Sequence, residues 1–405
     1  MVSEGIHSRL PMVSPSVHAV RSPSVWAEET LLEDLRDGLL RQPRVRAGGS
    51  SVHCRVDGRD VVIFSSNDYL GLSTHRAVRE AAGAAALQDG LGSTGSRHLT
   101  GSHEALLALE AELAAFEGAQ TATLAPSGYA ANLAVLTTLG GRDAVIYSDE
   151  LNHASIVDGC RLSRARVDVY RHRDLDDLET RLRLRDGRPV IVSDTVFSTD
   201  GTCADVGRLA ELAVRYDAWL VLDEAHATGV LGPRGRGAAA AARVDGHPQV
   251  VRVITFSKAL GAAGAAVCAS ATVRQLLLQR GRAMMYSTAL PHPVIAAVRA
   301  ALAVMQRERS LLERLRANTR LIHGMLDSMA MPGHNHDVPI VAILVADARR
   351  AVDAENSLWE QGWMVHALRP PTVPPGSSRL RLTVSAAHRE SDLRGVAAAM
   401  TALVA

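Results

Sequence analysis

The sequence predicts an α/β fold with a mostly parallel central sheet and a smaller C-terminal α+β domain. Between about residues 105 and 290, amphipathic helical stretches alternate with short apolar runs, a rhythm typical of a parallel sheet. The chain has 405 residues, 47% of them hydrophobic, which is more than one compact core usually takes. We therefore expect an N-terminal segment at 27–66, a large domain at 67–290 and a small domain at 291–405.

Short apolar runs are predicted to form the central sheet, at residues 144–147, 167–170, 190–193, 219–222 and 250–256. Two of these runs lead directly into polar clusters, at 194–201 and 223–229. Ligands of open α/β sheets bind at the carboxyl ends of the strands. The sequence therefore predicts a ligand site where those two strands end.

The C-terminal part of the chain is expected to mix helices and strands. A long helix is predicted over 294–329, and strands are predicted at 340–345 and 380–384, with helices between and after them. Four prolines within 370–375, followed by Gly376, are incompatible with a helix. They predict a stiff loop beside the last strand.

The composition argues against several classes of protein. With 44 Lys and Arg against 43 Asp and Glu, no net field would draw the chain to nucleic acid or to an anionic membrane. No apolar run approaches the roughly 18 residues of a membrane span, and residues 1–26 lack the apolar segment of a signal peptide, so we interpret them as a disordered tail. The cysteines lie far apart without a C-x-x-C pair, which argues against a zinc site or a disulfide framework and favours the cytoplasm: Cys54, Cys160, Cys203 and Cys268.

His334 and His336 lie two residues apart and could supply half of a metal site. They follow Pro332 and Gly333, and Asp337 is the one acid beside them. Such a segment is more typical of a polar loop, so we predict no metal.

Lys258 is the only lysine in the chain, since the other 43 cationic side chains are arginines. An ammonium group can lose its proton and form a Schiff base, whereas a guanidinium effectively cannot. The alternative is a surface lysine that escaped the bias towards arginine. Because Lys258 follows the predicted strand 250–256 almost directly, its side chain is expected to enter the cleft.

A Schiff-base lysine needs a carbonyl cofactor, and the residues around Lys258 match the needs of pyridoxal 5'-phosphate. Gly128 lies at the start of a helix predicted over 130–139, where backbone N–H groups and the helix dipole can hold a phosphate. Thr255 and Ser257 can add hydroxyl groups. Asp223, at the end of its strand, can pair with a protonated pyridine nitrogen and keep the ring an electron sink.

Two histidines complete this hypothesis. His226 could hydrogen-bond the phenolic oxygen of the cofactor ring, and His153 could stack on its face. A lone histidine is more often structural, and only the setting favours these roles. The glycine-rich run at 90–101 offers an alternative, a dinucleotide loop, but it follows a helical stretch and lacks an acidic residue about 20 positions later. A G-x-S-x-G nucleophile motif is also absent.

Four motifs together resemble the α-oxoamine synthases, a family of fold-type I pyridoxal phosphate-dependent transferases: SNDYLGL at 66–72, GSTGSR at 92–97, DEAH at 223–226 and SKALG at 257–261. The resemblance extends from about residue 27 to the end. Within the family, the segment RPPTVPPG at 369–376 is most similar to the synthases of biotin biosynthesis. The resemblance therefore implies a decarboxylative condensation of L-alanine with a pimeloyl thioester.

The resemblance also implies roles for individual residues. Lys258 would bind the cofactor covalently and act as general base, and Asn67 and Arg381 would hold the amino-acid carboxylate. Arg41 would bind substrate, although Arg44 and Arg46 are alternatives for its register. The catalytic residues implied are His153, Asp223, His226 and Lys258. The cofactor contacts implied are Gly128, Tyr129, His153, Ser198, Asp223, His226, Thr255 and Lys258, and the substrate contacts are Arg41, Asn67, His153, Arg369, Thr372 and Arg381.

The family usually has glycine where Ala227 stands, and the stretch after Lys258 is richer in alanine, at 261–266. The added methyl groups are expected to narrow the cofactor side of the cleft. The family also implies a homodimer in which a segment at 286–288 reaches the partner subunit. Coenzyme A and an acyl carrier protein both remain candidate carriers of the acyl group. The alternatives to this function are a sister synthase that uses glycine and an acetyl thioester, a nicotinamide-dependent dehydrogenase and a non-catalytic cofactor-binding protein.

Overall fold

A computed structural model describes residues 22–49 and 51–404 of the chain, which forms two compact units divided after Pro43. In the first unit, helix α1 (Pro23–Arg36) begins where Ser22 accepts a hydrogen bond from the backbone of Val25 at 3.3 Å, with proline at the first helical position. Of the residues predicted as a disordered tail, 23–26 belong to α1, and residues 1–21 lie outside the described part.

The second unit opens with three antiparallel strands, β1 (Arg46–Ala47), β2 (His53–Val56) and β3 (Arg59–Ile63). Asp57 and Gly58 form the two-residue turn between β2 and β3, both with positive φ, as this hairpin type requires. Val56, Val61 and Ile63 pack against Trp359 and are buried.

A seven-stranded sheet forms the centre of the second unit, from β4 (Thr121–Ala125), β5 (Ala144–Asp149), β6 (Arg166–Tyr170), β7 (Arg188–Asp194), β8 (Trp219–Asp223), β9 (Val250–Thr255) and β10 (Ala265–Ala269). The strand order is β4-β10-β9-β8-β7-β5-β6. All neighbouring pairs are parallel except the two that involve β10. The predicted α/β class and all five predicted strands are confirmed, whereas β4 and β10 were not predicted.

Helices cover both faces of this sheet because successive strand residues point to opposite sides. Ile146 packs towards the helices at 128–139 and 154–162, while Val145 and Tyr147 pack towards the helices at 175–183 and 206–215. The helices up to residue 285 are α2 (Arg76–Asp89), α3 (Glu104–Glu117), α4 (Gly128–Leu139), α5 (Ala154–Leu162), α6 (Leu175–Arg183), α7 (Val206–Arg215), α8 (Gly237–Ala241), α9 (Ala271–Arg280) and α10 (Arg282–Met285).

The single helix predicted over 294–329 is two helices, α11 (His292–Arg307) and α12 (Ser310–Leu326), separated at Glu308 and Arg309. α11 packs against α2 and α3 in one apolar cluster with the edge of the central sheet. The predicted domain boundary at residue 290 stays a prediction.

The remaining elements are β11 (Ile340–Ala346), α13 (Ala348–Glu360), β12 (Trp363–Met364), β13 (His366–Leu368), β14 (Ser378–Thr383) and α14 (Glu390–Val404). β11, β14 and β13 form an antiparallel sheet in that order, and β12 extends the N-terminal sheet by pairing with β3. Both strands predicted here are present. Among residues 22–49 and 51–404, no helix has the length and apolar character needed to cross a membrane.

Candidate active site

The carboxyl ends of three neighbouring parallel strands bring the predicted catalytic groups together. Asp194 ends β7 and lies directly opposite Asp223, which ends β8. Thr255 ends β9, the next strand, and Lys258 follows it after one further turn of chain. The ligand site predicted at the ends of the strands now numbered β7 and β8 is thus where the polar groups converge.

These groups line a cavity of about 220 Å³. All eight residues predicted to contact the cofactor are part of its lining: Gly128, Tyr129, His153, Ser198, Asp223, His226, Thr255 and Lys258. The remaining lining residues are Ser127, Asn132, Ser155, Asp194, Ala225 and Ser257. Of these, Asn132 and Ser155 were not predicted to be part of the site, and Asp194 was predicted only as the first residue of the polar cluster at 194–201.

Lys258 occupies the cavity as an amine that gives up its proton readily. Burial lowers the pKa of Lys258 to about 8, although the negative charges of Asp223 and Asp194 act in the opposite direction. Gly261 lets the chain turn away after the lysine: its φ is +62°, and a Cβ there would lie 2.2 Å from the backbone nitrogen of Ser73. The turn therefore requires glycine.

Asp223 is held in one orientation by two hydrogen-bond donors. The side-chain amide of Asn132 donates to its Oδ2 at 2.7 Å, and the backbone N–H of Ala225 donates to its Oδ1 at 2.8 Å. Asn132 also donates to Ser155 at 2.8 Å. A carboxylate fixed in this way and only 5% exposed is suited to pair with a protonated ring nitrogen.

His226 is fixed from the side opposite the cavity. The Tyr69 hydroxyl lies 2.6 Å from its Nδ1, which leaves Nε2 for a ligand. Tyr69 also donates to Oδ1 of Asn67 at 3.3 Å, and Arg381 donates to the same oxygen at 3.3 Å. Burial and the nearby charge of Lys258 lower the pKa of His226 well below its ordinary value. A neutral His226 and the predicted substrate residues Asn67 and Arg381 thus belong to one hydrogen-bonded chain.

His153 lies at the start of α5, with its backbone N–H donating to Asp194 at 2.7 Å and its Nδ1 2.7 Å from the Ser155 hydroxyl. Burial lowers the pKa of His153, which favours a neutral ring that can pack flat against an aromatic ligand. Burial, and then the charge of Asp223, raise the pKa of Asp194 well above its ordinary range.

The opposite end of the cavity is built for an anion. α4 begins at Gly128, two residues before its predicted start, and the Ser127 hydroxyl caps it by accepting from Ala130 at 3.1 Å. The first N–H groups of a helix have no partner within it. Thr255 contributes a hydroxyl 2.9 Å from that of Ser257. The cavity thus combines an anion site at the start of α4, the oriented acid Asp223, the neutral ring of His153 and the amine of Lys258. These residues fit pyridoxal phosphate.

A second, larger cavity of about 850 Å³ adjoins the first and shares His153 and Ser198 with it. The proline segment at 370–375, including Thr372, forms one wall, as does Arg379. Arg369 is buried, donates to the Ala367 carbonyl at 3.4 Å and lines neither cavity. Arg41 belongs to the first unit, where it donates to Leu39, and its substrate role stays a prediction.

The added methyl groups do not narrow the cofactor cavity, contrary to expectation. Ala227 is fully buried among Val196, Val338 and Ile340, behind the wall that its neighbours Ala225 and His226 form. Ala262, Ala265 and Ala266 also pack into apolar clusters. None of these alanine side chains lines either cavity.

The class I and II aminotransferase family matches residues 59–400. The 8-amino-7-oxononanoate synthase of Burkholderia thailandensis is 47% identical over 373 residues, which cover 90% of this chain and 94% of that protein. The enzyme of the same name from Burkholderia mallei is 44% identical over 94% of this chain and 98% of its own length.

Two solved structures resemble the fold closely. A variant of serine palmitoyltransferase from S. paucimobilis, solved with a bound PLP-myriocin aldimine, has a TM-score of 0.87 and 28% identity over 94% of this chain and 96% of its own. The 8-amino-7-oxononanoate synthase of Francisella tularensis has a TM-score of 0.74 and 28% identity over 85% of this chain and 98% of its own.

Proposed function

Because the chain belongs to the class I and II aminotransferase family and, within it, groups with the 8-amino-7-oxononanoate synthases, we propose that it joins L-alanine to a pimeloyl thioester with loss of CO2. It is a pyridoxal phosphate-dependent enzyme of biotin biosynthesis. The observation that carries the proposal is the only lysine of the chain, Lys258, in one cavity with Asp223 and His226.

Pyridoxal phosphate, when bound, supplies an electron sink for the pair of electrons left as the alanine Cα–H bond breaks. Asp223 provides the fixed negative charge for the ring nitrogen, held by Asn132 and the backbone of Ala225. The amine of Lys258, with a pKa of about 8, takes the Cα proton and returns it after CO2 has left.

We infer that Arg381 and Asn67 orient the amino acid. Arg381 lies in β14 and donates to Asn67 at 3.3 Å. Burial, together with the charge of Arg381, lowers the pKa of both Lys258 and His226, which supports a role of Arg381 close to the reacting atoms. A guanidinium and an amide that grip the carboxylate would set which Cα bond stands perpendicular to the ring. That choice decides whether the proton or CO2 is lost first.

The larger cavity supports a long acyl donor. Its volume of about 850 Å³ exceeds the roughly 300 Å³ lower limit of ligand pockets, and it meets the cofactor cavity at His153 and Ser198. An acyl chain lying along the proline wall would bring its thioester to the alanine Cα. A small acetyl group would leave most of this space unused, so the volume favours pimeloyl over acetyl donors.

A homodimer and a cytoplasmic location are also part of the proposal. The backbones of Ser96 and Thr288 pair in an isolated antiparallel β-bridge. Large apolar side chains close in sequence to these two residues are exposed: Leu87, Leu91, Leu99 and Tyr286. Exposed apolar clusters of this kind mark protein interfaces. The four cysteines form no disulfide in the described part of the chain, which contains them all, and this supports a reducing compartment. Sedimentation of Tyr286→Asp beside the unaltered protein tests the dimer.

The function is tested by loading purified protein with pyridoxal phosphate and offering alanine or glycine with pimeloyl- or acetyl-coenzyme A. We expect CO2 release and product only with alanine and the pimeloyl donor. Turnover with glycine and acetyl-coenzyme A would instead assign a sister synthase. Cofactor binding without any loss of the alanine Cα proton would leave a non-catalytic binding protein and refute the proposal.

A further inference from the structure

Three histidines converge away from the active site. His323 lies in the last turn of α12, and His334 and His336 follow in the segment that leads to β11. One ring nitrogen of each lies within 4.8 Å of the corresponding nitrogens of the other two. The pair at 334 and 336 is therefore more than the polar loop that the sequence indicated, because the fold adds a buried third imidazole.

Two of these rings are already oriented as metal ligands are. His323 Nε2 lies 3.0 Å from the Val338 carbonyl and His334 Nδ1 lies 2.8 Å from the Met331 carbonyl. Since a carbonyl only accepts, both of these nitrogens carry a proton, and in the neutral form of each ring the other nitrogen holds a lone pair. Metal-binding histidines characteristically donate their second N–H to a carbonyl or carboxylate in this manner.

His323 Nδ1 and His334 Nε2 are buried, and in the described part of the chain neither receives a hydrogen bond; His334 Nε2 lies 3.2 Å from Asp327 Oδ1, which as a carboxylate oxygen only accepts. His323 is completely buried. A buried acceptor left without a donor is costly and calls for an explanation. Stacking of the three rings, with centroids 4.7 to 5.1 Å apart, accounts for their packing but leaves both nitrogens unsatisfied.

Asp327 supplies a fourth ligand. Its Oδ1 lies 3.2 Å from Nε2 of His334 and 3.1 Å from Nε2 of His336. Two ligands at about 2.0 to 2.1 Å from a tetrahedral zinc ion lie roughly 3.3 Å apart, which matches both distances. The neighbouring Asp337 is engaged with Arg320 at 3.1 Å, so the set needs only Asp327.

We propose that His323, His334, His336 and Asp327 bind a divalent transition-metal ion of the kind imidazole prefers, with Zn²⁺ as the representative. A point equidistant from three atoms 4.8 Å apart lies about 2.8 Å from each, so each imidazole would move by at most about 0.8 Å to reach bonding distance. Four protein ligands leave no open position, which makes the site structural.

Such an ion would cross-link the segment at 331–338, through His334 and His336, to His323 in α12. The same segment touches the loop that flanks the active site, because Asn335 donates to Cys203 Sγ at 3.4 Å and its backbone N–H donates to Gly201 at 3.4 Å. That loop also carries Ser198, which lines both cavities. The metal would therefore stabilise one wall of the active site without contacting a reacting atom.

The test is calorimetric titration of Zn²⁺ into chelator-treated, cofactor-loaded protein, compared with His336→Ala and His366→Ala. His366 is the matched control, because it is similarly exposed and lies 3.4 Å from a carboxylate, Glu355. We expect the unaltered protein and His366→Ala to bind one zinc ion more per chain than His336→Ala. Equal stoichiometry in all three proteins would overturn the proposal.

A crystal soaked in Zn²⁺ gives a second readout that does not depend on activity or on any variant folding. An anomalous difference peak between the three imidazoles, with Asp327 turned towards it, is the expected result. Peaks at other surface histidines with none at this position would also overturn the proposal. Neither experiment involves the condensation reaction, so failure of the metal site and failure of the proposed function are distinguishable.

Discussion

Replacing Asn132 by alanine tests whether the active site depends on how Asp223 is held. Asn132 is 1% exposed and donates to Asp223 Oδ2 at 2.7 Å. A hydrogen bond to a charged group contributes about 1.5 to 3 kcal/mol, which corresponds to a factor of about 10 to 150 in rate. Because Ala225 continues to donate to Asp223 at 2.8 Å, we expect the lower end of that range, a loss of about 10-fold in kcat.

The assay is steady-state CO2 release with saturating pyridoxal phosphate, together with a titration of the cofactor. Asn132 contacts the Asp223 carboxylate and does not line the larger cavity proposed for the acyl chain. We therefore expect kcat to fall while the KM for the pimeloyl thioester stays unchanged. Asn318→Ala is the matched control. Asn318 is a partly buried asparagine that also makes two hydrogen bonds, both of 3.0 Å, far along the chain from the site.

A structural role alone predicts that both variants lose thermal stability and neither loses kcat. If Asn132→Ala kept kcat within about twofold of the unaltered enzyme at full cofactor occupancy, the fixed orientation of Asp223 would have no catalytic importance. A rise in the KM for the thioester at constant kcat would likewise contradict the argument. Either result would mean that Asn132 contributes only to the packing of α4 against α5.

Three further predictions concern single groups. In cofactor-free protein, labelling of Lys258 by an amine-selective reagent should rise with pH around a midpoint near 8, because the reactive amine is protonated below it; a midpoint near 10.5 would show an ordinary lysine. Tyr69→Phe removes the hydroxyl group that lies 2.6 Å from His226 Nδ1. Loss of a neutral hydrogen bond costs about 1 kcal/mol, so kcat should fall about fivefold, and unchanged turnover would refute this role of Tyr69. Gly261→Ala, with its Cβ 2.2 Å from the Ser73 nitrogen, should lower the free energy of unfolding by at least about 2 kcal/mol in a urea titration; an unchanged midpoint would contradict the required turn.

The strands that could be predicted from the sequence are those with a composition typical of strands and not of helices. The five predicted strands are rich in Val and Ile, whereas β4 reads TATLA and β10 reads AAVCA. Alanine has a low strand propensity, so these two segments are strands because of pairing: β10 hydrogen-bonds to β4 on one side and β9 on the other. The break at Glu308 and Arg309 was missed for a related reason, since neither residue is a helix breaker.

The sequence predicted the chemical groups that the structure brings together in one cavity, but not the groups that hold them. An amine, an acid and an anion cradle each have a residue type and a position beside a strand or helix end. Asn132 and Tyr69 have neither signal, because their partners Asp223 and His226 lie 91 and 157 residues away in sequence. Tyr69 stands inside the motif SNDYLGL, which is the one hint that the sequence offered.

The charges of the site depend on register, which no local pattern contains. Asp194 stands 29 residues before Asp223, yet parallel pairing of β7 with β8 sets the two directly opposite each other. Two buried carboxylates so placed do not ionise equally, and burial with the charge of Asp223 raises the pKa of Asp194 well above its ordinary range. Asp194 Oδ2 accepts the backbone N–H of His153 at 2.7 Å, which keeps that ring in place. Parallel pairing thus divides the tasks of the two carboxyl groups, because Asp194 holds His153 while Asp223, oriented by Asn132 and Ala225, is left to meet a ligand in the same cavity.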